Sequence, residues 1–116
     1  MRLLPLLALP VSCALASAAQ AACRATDVEI KQADWRATPG YIAVVGEIVN
    51  RCAEPVGAQL QFTFRDAGGR VVAVEETWPA STRNVEAGAS YPFSRTFFIS
   101  DPVSTMTARV IDTRRW

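Results

Sequence analysis

In the stretch Gln59–Arg65, read as QLQFTFR, Leu60, Phe62 and Phe64 alternate strictly with Gln59, Gln61, Thr63 and Arg65. Successive side chains of an extended strand point to opposite faces, so this spacing gathers the large apolar groups on one side and the polar groups on the other. On a helix the same residues would be spread around the axis and no apolar face would form. The pattern predicts a half-buried strand. The same period recurs along the chain: Val28, Ile30 and later Trp35 mark a first strand. In Tyr41–Asn50, Ile42, Val44, Gly46 and Ile48 share one face, and Tyr41, Ala43, Val45, Glu47 and Val49 share the other. Arg70–Trp78, Tyr91–Ile99 and Val103–Ile111 follow, the last with Met106, Ala108 and Val110 on one face. The connections RATPG, RCAEPVG, DAGG, PASTRNVEAGAS and SDP carry the glycines and prolines that punctuate turns. No segment sustains a helical period. Six to seven short antiparallel strands at this spacing predict an all-β, two-sheet β-sandwich.

The first residues read as a targeting signal rather than as part of that fold. Met1-Arg2 supplies a positive start, LLPLLALPVSCALA an apolar run, and Ala19-Gln20-Ala21 the small residues of a cleavage site. Residues 1–21 are therefore expected to be a cleaved signal peptide and residues 22–116 a single domain, 95 residues long out of 116. The full chain has 12 basic and 11 acidic residues, and the signal removes only Arg2, so the mature domain is formally neutral. A neutral domain has no global field to draw it to nucleic acid, and no later run approaches a membrane-spanning length of about 20 apolar residues. The expected location is exported, either periplasmic or extracellular. The competing arrangement is a lipid anchor on Cys23, against which stands Gln20 where such a signal carries an aliphatic residue.

Cys13 leaves with the signal, which leaves Cys23 and Cys52 as an even pair in an oxidising compartment. Between them lie two strand-like runs joined by RATPG, and the midpoint of the two cysteines falls between Ala37 and Thr38, inside that linker. A hairpin folded there sets the cysteines opposite each other at its open end, within disulfide reach. Closing a loop of roughly 30 residues stabilises the fold by about 3.6 kcal/mol on the chain-entropy account. The alternative is a pair of free thiols.

The chemistry open to this chain is narrow. It contains no histidine, which excludes Ser-His-Asp and Cys-His arrangements and histidine zinc sites. Glu75 and Glu76 are adjacent, so on a strand they face opposite ways and cannot act on one substrate. The glycine pair after Asp66 lies between two strands, not before a helix, and so reads as a hairpin corner rather than a phosphate cradle. No calcium-loop run is present, and neither a metal nor a cofactor is expected. Trp35 reads as core; Trp78 and Trp116 read as partly exposed, and DTRRW as a solvated end. The apolar second face of the Tyr41 strand, with Tyr41, Val45 and Val49, together with Trp78, forms the candidate partner surface.

Two segments resemble a known family. VVGEIVNRCAEPVGAQLQFTFRDAGGRVV and, further on, VEAGASYPFSRTF are similar to the FxLYD domain, an Ig-like module of bacterial envelope and secreted proteins. Gly46, Ile48 and Asn50 match its G-x-[VI]-x-N strand. Phe62 and Asp66 match the ends of F-x-L-Y-D; Gly69, Val71 and Val72 match the following G-x-[VI]-[VI]; and Gly88 and Phe93 match the last turn and strand. Phe64, Arg65 and Ala87 stand where the family has leucine, tyrosine and proline. The resemblance implies a structural role for these residues and no shared enzymatic reaction. Together with the absence of a catalytic constellation, it sets the expectation of a non-catalytic module that binds another envelope protein or stiffens an assembly, with strand addition at a sheet edge as one mode. The alternative from another class is a small-ligand carrier or a minor carboxylate-dependent hydrolase.

Overall fold

The computed structural model describes residues 22–116; the expected signal peptide, residues 1–21, lies outside them. After a 3-10 turn at Ala25–Asp27 come six strands: β1 (Val28–Thr38), β2 (Tyr41–Asn50), β3 (Gly57–Arg65), β4 (Val71–Thr77), β5 (Ser90–Phe97) and β6 (Thr105–Arg114). They form two three-stranded sheets, β1-β2-β5 and β4-β3-β6, with every pairing antiparallel. The chain is an all-β sandwich, as the alternation predicts. The apolar positions of the two central strands face each other across it. Leu60, Phe62 and Phe64 are fully buried, and so are Ile42, Val44 and Ile48. Phe62 packs against Phe93 and Phe97 with ring centroids 6.2 and 5.6 Å apart, and Phe64 against Phe97 at 6.1 Å. Each fully buried ring of this kind contributes on the order of 1.5–3 kcal/mol relative to exposure. Trp35 is partly buried against this core.

The first hairpin differs from expectation in register. β1 runs on to Thr38, which pairs with Tyr41, so only Pro39 and Gly40 make the turn. Gly40 has φ +89°, a conformation that suits glycine at such a corner. The ladder then runs back to Val28↔Asn50, with a bulge between Ile30 and Gln32. The turn is thus centred beyond the position between Ala37 and Thr38 that the cysteine midpoint indicated. The disulfide Cys23–Cys52 nevertheless forms, with Cα atoms 5.8 Å apart, outside the ladder rather than across it. The 3-10 turn takes up the extra residues on one arm, anchored where the Arg51 N–H donates to the Asp27 carbonyl at 2.8 Å.

The last strand also departs from expectation. It begins at Thr105 rather than Val103 and continues to Arg114, which pairs with Gly57. Asp112–Arg114 of the segment DTRRW are therefore strand, while Asp112, Arg114, Arg115 and Trp116 remain exposed, as a solvated end requires. A bulge between Gln59 and Leu60 in the β3–β6 register lets Met106, Ala108 and Val110 stay packed on the core. On the opposite side Arg95 reaches from β5 to the end of β4. It donates to Thr77 Oγ1 at 2.9 Å and to the carbonyls of Trp78 and Pro79 at 3.1 Å each, stapling one sheet to the other.

Candidate functional site

Of the residues singled out by the family resemblance, Asn50 is the most committed. It is 1% exposed, and its amide is saturated: Nδ2 donates to the carbonyls of Glu54 and Val85, and Oδ1 accepts from the Cys52 N–H, all at 2.8 Å. Its own N–H donates to the Ala89 carbonyl at 3.0 Å, and its carbonyl accepts from the Gly88 N–H at 2.7 Å. One side chain thereby fixes the end of β2, the β2–β3 connection and the loop before β5. Gly46 pairs with Phe93 across the β2–β5 ladder, and the ring lies against the bare Cα. A Cβ added there would come within 2.7 Å of the ring and would collide with the Gln32 carbonyl. Ile48, Phe62 and Phe93 are buried in the core. These residues frame the fold and present no reactive group.

The glycine corner is local in the same way. Asp66 Oδ1 accepts from the N–H groups of Gly68 and Arg70 at 2.9 and 3.0 Å, and its Oδ2 faces Arg70 Nε at 3.2 Å. Gly69 closes the turn at φ +84°. The acid's acceptors are occupied by its own turn, which makes it a corner and not a site. Glu75 and Glu76 point apart, Glu75 opposite Phe62 in the ladder and Glu76 accepting from Gln61 Nε2 at 3.1 Å.

The four residues of the candidate partner surface do not form one patch. Tyr41 and Val45 lie on the outer face of the β1-β2-β5 sheet, 38% and 49% exposed. Val49 shares their parity but is only 7% exposed, so it does not belong to the accessible face. Trp78 belongs to the other sheet. The face gains instead a residue not picked out from the sequence: Phe98, 85% exposed. Phe97 closes the ladder opposite Ile42 and is buried, so alternation turns Phe98, the next residue, outward at the end of the strip that carries Tyr41. The signal was present in TFFI, because adjacent phenylalanines on a strand cannot both face inward. Beside this strip lies a shallow depression lined by Asp34, Trp35, Arg36, Ala43 and Val45.

Trp78 makes its contacts on the β4-β3-β6 sheet. Its ring meets that of Trp116 edge-on at 5.4 Å, and the Arg114 guanidinium lies 4.8 Å from the Trp116 centroid and 5.7 Å from that of Trp78. Among the described residues no group of three His, Cys, Asp or Glu side chains is placed to hold a metal ion, and no helix is long and apolar enough to cross a membrane.

The molecule thus belongs to the class of small antiparallel two-sheet β-sandwiches closed by a disulfide. A crystal structure of a DUF1425 family member from Shewanella sp. pv-4 is similar to it, with a TM-score of 0.52 over 73% of this chain and 77% of that one. The identity is 13%, so the likeness is one of fold alone. No protein-family model matches the chain, and no curated protein matches it.

Proposed function

We propose that the chain is an exported, non-catalytic module of FxLYD type that binds another protein of the bacterial envelope through the outer face of its β1-β2-β5 sheet. The observation that carries this reading is Phe98: a large aromatic ring 85% exposed just past the end of β5, whose partner strand β2 exposes Tyr41 and Val45. Isolated surface apolar residues are ordinary, but an aligned aromatic-rich strip is what a contact surface provides. Compartment and charge support the reading. The Cys23–Cys52 bridge suits an oxidising environment, and a formally neutral domain leaves apolar contact rather than long-range steering to select the partner. The motif residues shared with the family serve the frame, which leaves its outer surfaces free to carry specificity.

The test is site-specific photo-crosslinking in the native host, with the reactive residue at position 98 and, as control, at position 63 on the outer face of the other sheet. The expected result is one discrete protein adduct from position 98, none from position 63, and loss of the adduct when Val45→Asp is added. Equal labelling from both positions, or an adduct indifferent to Val45→Asp, overturns the reading.

A further inference from the structure

Beyond Arg114 the β3–β6 ladder ends, yet the two residues that follow are held in a defined seat. Each part of that residue pair is read by a different group. The Trp116 N–H donates to Asn84 Oδ1 at 2.9 Å, and its carbonyl accepts from Asn84 Nδ2 at 3.3 Å. One amide side chain thus grips the backbone of one extended residue, whatever its side chain. The indole lies over Gly57, where an added Cβ would sit 2.5 Å from Nε1 and 2.9 Å from Cδ1, so the seat exists only because that position is glycine. Trp78 walls the ring on one side, and the Arg114 guanidinium covers it. The preceding side chain, Arg115, meets Glu54 Oε1 at 3.0 Å, and that carboxylate is mostly covered.

The wall of the seat is itself fixed. The Trp78 carbonyl accepts from Arg95 and from the Ser81 N–H. Ser81 has φ +58°, and among the described residues it is the one non-glycine residue in that region. The loop from Trp78 to Asn84 is thus held in a conformation that local preference does not favour. The occupant, by contrast, lies outside the ladder: Trp116 is 40% exposed, and moving it breaks no ladder bond. Hydrogen-bonded walls around a residue that no ladder holds describe a binding site occupied by its own chain.

We infer that Glu54, Gly57, Trp78, Asn84 and Arg114 form a second binding site, specific for a basic residue followed by tryptophan in an extended segment of another protein. Arg115-Trp116 fills it in cis and acts as an intramolecular competitor. A ligand sees only the fraction of molecules whose tail is out, and its apparent affinity falls by that fraction. Removing the tail therefore exposes the full intrinsic affinity.

The experiment uses the oxidised mature domain, complete and lacking residues 115–116, titrated with N-acetyl-Arg-Trp-amide and followed by amide chemical shifts. The shortened domain is expected to bind at least tenfold tighter than the complete one, with shifts centred on Asn84 and Gly57. Binding should fall at least tenfold for N-acetyl-Arg-Ala-amide or N-acetyl-Glu-Trp-amide, and disappear in the shortened domain carrying Gly57→Ala. Equal affinity with and without the tail, or indifference to the tryptophan, overturns the proposal. Should the shortened domain fail to fold, Trp116→Ala in the complete domain is titrated with N-acetyl-tryptophanamide: saturable binding at Gly57 upholds the site, and its absence overturns it. If Trp116→Ala also unfolds, the tail is a structural plug and the proposal falls.

Discussion

Asn50 illustrates how much of this fold hangs on single residues. Its amide is the hydrogen-bond partner of two carbonyls and one N–H that would otherwise lie buried near the end of β2. Replacing it with alanine leaves the Glu54 carbonyl and the Cys52 N–H without this partner, while the Val85 carbonyl keeps the Val56 N–H; the cost is about 1–3 kcal/mol for each group that water cannot reach. The expected loss for Asn50→Ala is about 3 kcal/mol in urea unfolding. Asn50→Asp should fare no better, because a carboxylate cannot donate to Glu54 and Val85. A loss below about 1 kcal/mol would mean that water replaces the amide at this junction. Gly46→Ala is a different kind of test, since its Cβ meets the Gln32 backbone and the Phe93 ring. Backbone cannot yield as a flexible side chain does, so overpacking of about 1–3 kcal/mol is expected by the same measurement. Trimming the ring with Phe93→Leu should recover only part of it, because the Gln32 carbonyl remains. These roles explain why a motif that is legible in sequence carries no chemistry: its residues are spent on closing the frame.

Among the elements, the β1–β2 hairpin shows where sequence reasoning holds and where it slips. Alternation assigned the faces of β2 correctly, because facing depends only on local extended geometry. The turn position came from assuming that the ladder reaches the cysteines, and a 3-10 turn with a bulge breaks that assumption. The bridge spans a sequence separation of 29, so reducing it should lower stability by about 3.6 kcal/mol, read as a shift in the denaturation midpoint with and without reductant. An unchanged midpoint would show that the hairpin and the Asn50 junction hold the N-terminal arm unaided. The β2–β5 outer face gives the opposite expectation. Phe98→Ser removes an exposed ring, so stability should move by no more than about 0.5 kcal/mol while the cross-linked adduct is lost. A large fall in stability would instead assign Phe98 to packing.

For the whole molecule, the prediction concerns maturation. Protein recovered from its host should begin at Ala22, and its mass should rise on reduction and alkylation by two blocked thiols, Cys23 and Cys52. A mass increased by acyl chains, with Cys23 as first residue, would replace the disulfide by an anchor, since one sulfur cannot serve both. The Tyr41–Val45–Phe98 strip belongs to the β1-β2-β5 sheet, whereas the Trp78–Trp116 seat lies at the ends of β4 and β6 in the other sheet.

What the sequence by itself determined was the alternation of faces, the strand class and the absence of histidine chemistry. Each follows from local geometry or from composition, and neither depends on what lies across the molecule. Only the tertiary structure decided which outer positions stay uncovered: Val49 and Val45 have the same parity, yet one is buried and the other open. It likewise decided that Trp116 sits on Gly57 and that Asn84 grips it, contacts between residues far apart in the chain. No local pattern encodes such meetings, because they depend on strand register and on where the connecting loops pass. Bulges and turns shift that register one residue at a time.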